Sequence, residues 1–260
     1  MIKTIAIAGC GKLGNIVAKA VLDGLLPDYR LTGTYSRTFA NALNTAKLFP
    51  DGCKACENLD DLLALKPDYI VEAASPAFLK ELAIPALENR SSIVALSIGA
   101  FADNDFYRKA AETALANGTK IYVASGATGG FDVLGTAALM GGATAEFFNE
   151  KGPDALKGTP VYDESLQNEQ RTVFQGTATE AIAMFPTKVN VTVAASRASV
   201  GPDKMKVTML STPGFKGDTQ RVEITNPQVH AVIDVYSRTS EIAAWSVVRI
   251  LRNLSAPIVF

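Results

Sequence analysis

The stretch 2-IKTIAIAGCGKLGNIV-17 decides the fold of this chain. Residues 2–8 form a mostly apolar run, as expected for a strand buried on both faces of a parallel sheet. Glycines follow at G-x-G-x-x-G spacing, and the residues after them place Leu13, Ile16 and Val17 on one face of a predicted helix. A glycine loop joining a buried strand to a helix is the dinucleotide-binding arrangement.

Each glycine of this loop has a distinct expected role. Gly9 permits a tight turn, Gly11 lets a pyrophosphate approach the backbone, and Gly14 lets the helix pack on the strand. The helix N-terminus then faces the anion. We expect the cofactor to be bound by Gly9, Gly11, Lys12, Leu13 and Gly14; the alternative is a plain glycine turn.

The second strand, 30–36, predicts which dinucleotide is used. A site that prefers NAD usually ends this strand with an acidic residue for the ribose 2′-hydroxyl. Here Ser36, Arg37 and Thr38 follow instead, and their hydroxyls and guanidinium suit a 2′-phosphate. We therefore expect NADP, with NAD as the alternative if Arg37 is only a solvated loop charge.

Strand and helix patterns alternate over the first 120 residues, which predicts an α/β, doubly wound parallel Rossmann-type sheet. Such sheets bind ligands beyond the carboxyl ends of their strands. Two small-residue turns lie at such positions and are expected to border the nicotinamide ribose; the alternative is that they only end strands. These residues are Ala74, Ser75, Pro76, Ser97 and Gly99.

After residue 125 the alternation changes. Strand and helix patterns mix, and 204–212, 220–225 and 228–235 read as three strands, which predicts a second α+β domain with an open mixed sheet. We expect a dinucleotide-binding domain at 1–125, a catalytic and dimerisation domain at 126–236, and a C-terminal helix at 237–260 that packs near the first domain. Since an open sheet needs a cover, a homodimer is expected.

A second small-residue loop, 125-SGATGGFD-132, lies at the junction of the expected domains. Without bulky side chains, the backbone N–H groups of Ala127 and Thr128 can approach a carboxamide or a substrate carboxylate. The alternative is a first helical turn made small for packing.

The composition excludes several classes of protein. Apolar residues make up 48% and the formal net charge is −1, so we expect no nucleic-acid partner and no membrane partner. No apolar run reaches the length of a membrane span, and we expect a cytoplasmic protein. Cys10, Cys53 and Cys56 with a single histidine, His230, fall short of a zinc site, so we expect no metal and reduced thiols.

Few side chains in the second half can serve an anionic small-molecule substrate. Arginine can clamp a carboxylate with two parallel hydrogen bonds, and Arg197 stands within an otherwise small, apolar segment. Lys188, Arg171 and Arg221 are further candidates. His230 has the right chemistry for catalytic proton transfer, although it alternates with Ala231 along a strand and can equally lie on a wet sheet face.

Several stretches together resemble the L-aspartate dehydrogenase family over nearly the whole chain: GCGKLG, VEAASPAF, ALSIGAF, ASGATGGFD, GTATEAIAMFPTKVNVTVAAS and RTSEIAAWS. The resemblance implies a Rossmann domain, an α+β catalytic and dimerisation domain, NAD(P), and reversible oxidative deamination of L-aspartate through iminosuccinate. It also implies that Ala127 and Asn190 contact the cofactor.

The chain departs from this family at one place. The family carries an active-site histidine at the start of a strand, where this chain has Gln220 or Arg221. Either His230 reaches the site from the next strand, or the histidine role is absent. We expect Thr128, Arg197 and Gln220 to contact the substrate. The alternatives are a reductase of another imine or carbonyl compound and a non-catalytic dinucleotide sensor.

Overall fold

A computed structural model describes residues 2–50, 52–186 and 189–260, so Lys188 lies outside the described residues. The contacts divide the chain into two compact units. The first extends to Ala124 and includes Ala243–Phe260, and the second is Ser125–Ile242. The last segment of the chain therefore belongs to the same unit as the first.

The first unit is built on a six-stranded parallel sheet in the order β3-β2-β1-β4-β5-β6. Its strands are β1 (Lys3–Ala8), β2 (Tyr29–Tyr35), β3 (Lys54–Cys56), β4 (Tyr69–Glu72), β5 (Ser92–Ala95) and β6 (Ile121–Val123). Its helices include α1 (Lys12–Leu22), α2 (Phe39–Ala46), α3 (Leu59–Ala64), α4 (Pro76–Glu88) and α5 (Asn104–Asn117). The strand order reverses between β1 and β4, which is where doubly wound sheets bind their ligands.

The central strand of this sheet is buried because its side chains are apolar on both faces. Ile5 and Ile7 of β1 are fully buried in the core. The C-terminal helix, α9 (Glu241–Ser255), supplies Val247 and Leu251 to the same core. The Tyr29 hydroxyl donates a hydrogen bond to the carbonyl oxygen of Leu251 at 2.7 Å, so the first unit is completed by the end of the chain.

The second unit contains a five-stranded mixed sheet in the order β11-β10-β7-β9-β8. Its elements are α6 (Phe131–Leu139), β7 (Thr144–Lys151), β8 (Arg171–Thr177), α7 (Ala178–Met184), α8 (Asn190–Arg197), β9 (Lys206–Ser211), β10 (Asp218–Thr225) and β11 (His230–Ser237). The β7–β9 pair is parallel and the other neighbouring pairs are antiparallel. The predicted fold class, a Rossmann-type sheet plus an α+β unit with a mixed sheet, is confirmed.

The two faces of the mixed sheet differ in burial. Val222 and Ile224 of β10 are fully buried in the core of this unit, together with Phe147 of β7. The opposite face carries Arg221 and half-exposed apolar side chains such as Val232, which is 40% exposed. This open face distinguishes the second sheet from the first.

Candidate active site

The three glycines of the first loop differ in their surroundings. A Cβ on Gly9 would lie 2.5 Å from the carbonyl carbon of Ala73, and Gly9 has a φ of +109°. Both the lack of space and the backbone conformation therefore require glycine here. A Cβ on Gly14 would lie 2.0 Å from the carbonyl oxygen of Gly9. A Cβ on Gly11 would meet nothing within 4 Å. Gly9 and Gly14 therefore serve packing, and Gly11 alone faces open space.

The open space beside Gly11 is a cleft of about 510 Å³ within the first unit. Its walls are the glycine loop, the turn after β2 and the beginning of α4. The Tyr35 and Phe78 rings stack with centroids 5.3 Å apart and form one side. The sequence-predicted residues that line the cleft are Gly9, Gly11, Ser36, Arg37, Thr38, Ala74 and Ser75, and Asn41 and Glu81 line it as well.

The other predicted cofactor residues of this unit are not among those that line the cleft. Lys12 and Leu13 form the first turn of α1. Pro76 is the first residue of α4, whose N-cap Ser75 accepts a hydrogen bond from Phe78 N. Gly99 lies in the short 3₁₀ turn after β5.

Sequence reasoning missed one buried acidic residue of this region, Glu72. It is fully buried at the carboxyl end of β4. Its Oε1 accepts from the backbone N–H groups of Ala74 (2.8 Å) and Ser75 (3.1 Å) and from the Ser97 hydroxyl (2.8 Å). Its Oε2 accepts from the Ser97 backbone N–H at 3.0 Å. Burial raises the pKa of Glu72, an effect that these donors oppose.

The second small-residue loop opens the second unit. Gly130 is the N-cap of α6 with a φ of +65°, and a Cβ there would lie 2.5 Å from Ile233 Cγ1. Ala127 is buried in the loop. Thr128 is buried too, and its Oγ1 has no hydrogen-bond partner among the residues that the structure describes. A buried hydroxyl without a partner is costly unless something binds it.

The remaining predicted substrate and cofactor residues occupy α8 and β10. Asn190 is the first residue of α8 and Arg197 the last. Gln220 is 6% exposed on the core-facing side of β10 and is in register with Asn149 of β7. Lys151, which sequence reasoning missed, is also buried on this side, and its Nζ lies 3.3 Å from Asp218 Oδ1. The signal available in the sequence was the position of this lysine at the end of β7, where buried and more exposed residues alternate.

His230 lies on the open face of the mixed sheet. Its side chain is 59% exposed, and its Nε2 lies 2.9 Å from Glu223 Oε1. This contact and Arg221 lower the pKa of Glu223. Arg221 also lies 3.4 Å from Asp234, whereas Arg171 pairs with Asp163 and Glu169. Two candidate cations are thus already engaged by carboxylates.

Two further sequence expectations concern metals and membranes. Cys10, Cys53 and Cys56 are free thiols, and burial raises the pKa of Cys53 to about 12. The described part of the chain contains no cluster of three or more His, Cys, Asp or Glu side chains suited to a metal ion. Within that same part, no helix is long and apolar enough to cross a membrane.

The fold and the cleft together define a class of protein. The parallel sheet reverses its strand order between β1 and β4, the middle glycine of the loop is open, and a cleft adjoins it. These features define a dinucleotide-dependent oxidoreductase with a second α+β unit. Comparison with known proteins narrows this class to a family.

Residues 132–254 match the family model "Aspartate dehydrogenase, C-terminal", and residues 9–124 match "Homoserine dehydrogenase, NAD binding domain". The chain is 34% identical to L-aspartate dehydrogenase from Methanocaldococcus jannaschii, covering 98% of this chain and 97% of that one. It is 30% identical to L-aspartate dehydrogenase from Methanococcus maripaludis strain C5, with the same coverage. The chain belongs to the L-aspartate dehydrogenase family.

A solved structure gives the same result for the fold. Aspartate dehydrogenase from Thermotoga maritima superposes with a TM-score of 0.77, 24% identity and complete coverage of both chains. At this identity the likeness shows the fold alone. The resemblance seen in the sequence is confirmed, and the protein is an oxidoreductase that uses a nicotinamide dinucleotide and a small-molecule substrate.

Proposed function

We propose that this protein is an NAD(P)-dependent L-aspartate dehydrogenase that interconverts L-aspartate and iminosuccinate, which gives oxaloacetate and ammonia on hydrolysis. The observation that carries this proposal is the 34% identity to a curated L-aspartate dehydrogenase over 98% of the chain. The two matched family models support it from both halves of the chain.

The residues of the cleft in the first unit fit a dinucleotide. Gly11 leaves the backbone open where the N-terminus of α1 begins, and a pyrophosphate is stabilised by such N–H groups and by the helix dipole. Lys12, Leu13 and the tightly packed Gly14 fix that helix turn. When bound, the nicotinamide ring exchanges a hydride with the substrate.

The turn after β2 supports NADP over NAD. Arg37 and Thr38 are exposed beside the cleft, and a guanidinium binds a phosphate with parallel hydrogen bonds. Glu81 lines the same cleft and is the carboxylate available for a 2′-hydroxyl if NAD is used instead. The balance between Arg37 and Glu81 then decides the preference.

The second unit supplies the groups proposed for the nicotinamide and the substrate. The unpartnered Thr128 Oγ1 supports a role in binding a substrate oxygen. We assign Ala127 and Asn190 to the nicotinamide, and Arg197 and Gln220 to the substrate, which is a small anion. His230 lies on the face of the mixed sheet opposite to Gln220, so these two assignments are alternatives. If His230 transfers the proton, with Glu223 as the carboxylate that orients its ring, Gln220 does not contact the substrate.

One observation favours a second candidate function. The resemblance places the family's histidine at Gln220 or Arg221, and Gln220 is a buried amide that cannot exchange a proton at neutral pH. An enzyme without a proton-transfer group can still reduce a preformed imine or a different carbonyl compound, because hydride delivery depends mainly on positioning. The second candidate is therefore an NADPH-dependent reductase of such a substrate.

The open face of the mixed sheet supports a homodimer. Val232 and Tyr236 of β11 are 40% and 55% exposed there, and a second copy would cover them. We expect Val232→Glu to convert the dimer to a monomer in analytical ultracentrifugation. Leu115→Glu, on an 86% exposed side chain of α5, is the matched control that leaves the dimer intact. A monomeric wild type would contradict this assembly.

The function is tested by following NADPH and NADH oxidation with oxaloacetate plus ammonium, and the reverse reaction with L-aspartate. Turnover that requires ammonium and is fastest with oxaloacetate supports the proposal. Turnover of another oxo acid or a cyclic imine, with no turnover of oxaloacetate, replaces the first candidate with the second.

A further inference from the structure

The Glu72 carboxylate joins two loops that follow neighbouring strands. Its partners are Ala74 and Ser75 after β4, and Ser97 after β5. In the described part of the chain, the four hydrogen bonds to this carboxylate come from N–H and O–H donors, which a carboxylate accepts without supplying a proton. Because the residue is fully buried, water does not reach the carboxylate.

The loop after β4 borders the dinucleotide cleft. Ala74 and Ser75 line it, and Ser75 is also the N-cap of α4 through Phe78 N at 3.2 Å. Glu72 does not line the cleft itself, so any effect on a ligand passes through these neighbours. The turn at Ser36–Thr38 lies after β2, and none of its residues hydrogen bonds to Glu72 in the described part of the chain.

We propose that Glu72 is a positioning residue that sets the backbone after β4 and β5 for the part of the dinucleotide beyond its adenosine half. This inference rests on the proposed dinucleotide-dependent function. We assign the adenosine half to the turn after β2, which makes no hydrogen bond to Glu72 in the described part of the chain, so we expect the two halves to respond differently when Glu72 is changed. A buried acid in the strand-ending sequence 71-VEAAS-75 is thus a determinant of cofactor geometry.

The informative variant is Glu72→Gln, because glutamine retains the shape but turns one acceptor into an N–H₂ donor that faces other donors. The matched control is Asp68→Asn, just before β4, where Asp68 Oδ2 accepts from Thr4 N and Thr4 Oγ1 at the opposite end of the same strands. Glu72→Asp retains the charge and is expected to recover part of the loss.

The experiment measures the Kd of NADPH against that of its fragment 2′,5′-ADP, and the Kd of NADH against that of 5′-AMP, by titration calorimetry. In Glu72→Gln we expect the whole dinucleotide to bind about tenfold more weakly while the fragment changes less than about twofold, a difference of about 1.4 kcal/mol between the two ligands. Asp68→Asn is expected to leave both Kd values unchanged and to lower only the melting temperature.

Equal weakening of fragment and dinucleotide in Glu72→Gln would assign Glu72 a general structural role and overturn the proposal, as would unchanged binding of both. If Glu72→Gln does not fold, the same comparison with Glu72→Asp decides. A wild type that binds no dinucleotide overturns the inference, whereas a wild type that binds it but does not turn over aspartate removes only the assigned substrate.

Discussion

Gly14 packs against Gly9 so closely that a Cβ on Gly14 would lie 2.0 Å from the Gly9 carbonyl oxygen. Helix α1, which follows the loop, therefore packs directly against the loop. Gly11, between them in sequence, has no atom within 4 Å of the corresponding position. Within this one motif, Gly9 and Gly14 therefore determine packing, and Gly11 determines ligand access.

This separation predicts opposite outcomes for two alanine variants. Gly14→Ala should destabilise the protein by about 1–3 kcal/mol, as overpacking does. Gly11→Ala should cost less than about 1 kcal/mol in stability and should still weaken dinucleotide binding, since its Cβ enters the cleft. Urea unfolding and NADPH titration of the pair measure both effects. Equal destabilisation by the two variants would contradict the assignment.

Arg37→Ala tests the cofactor preference. If Arg37 binds the 2′-phosphate, its loss should raise the Kd of NADPH about 10- to 100-fold, the range expected for a charge-assisted contact of about 1.5–3 kcal/mol. The Kd of NADH should change little. Arg30→Ala, near the beginning of β2, is the control and should change neither the Kd of NADPH nor that of NADH. Tighter binding of NADH than NADPH by the wild type would rule out the preference itself.

His230→Asn tests proton transfer. Loss of a general acid–base group typically lowers the rate about 10²- to 10⁴-fold, so kcat for oxaloacetate plus ammonium should fall in that range while the Kd of NADPH is retained. Glu223→Gln removes the carboxylate 2.9 Å from His230 and should give a smaller loss. An unaltered rate in His230→Asn would discard the role and favour reduction of a preformed imine.

Glu72 also makes the stability depend on pH. In the unfolded chain its carboxyl titrates near 4.5, whereas burial gives the folded chain a higher pKa. Between these two pKa values the folded state binds more protons, so the free energy of unfolding should fall as the pH rises. Urea unfolding from pH 4 upward should show this slope in the wild type and its loss in Glu72→Gln. A slope of the opposite sign would mean that the four donors outweigh burial.

The first unit could be predicted from the sequence because its signals are local. The apolar run before Gly9, the glycine spacing and the helical face with Val17 each act within one strand–loop–helix unit. Ser75 followed by Pro76 likewise marks the start of α4, as capping preferences predict.

The residues that sequence reasoning missed depend on distant neighbours. Glu72 reads as an ordinary strand-ending acid until the fold brings Ser97 beside it, 25 positions further along the chain. Lys151 similarly becomes a buried cation only because β10 places Asp218 opposite it. The small residues of 190–197 suit either a helix or a strand, and packing against the mixed sheet selects the helix α8.

The hydrogen bond from Tyr29 to Leu251 has a consequence for how the chain matures on the ribosome. The N-terminal strands are synthesised first, yet their core lacks Val247 and Leu251 until the final helix emerges from the exit tunnel. The second unit is one continuous segment, Ser125–Ile242, and its core does not depend on that helix. Vectorial synthesis therefore lets the interior segment reach its native packing before the coenzyme-binding scaffold that precedes it.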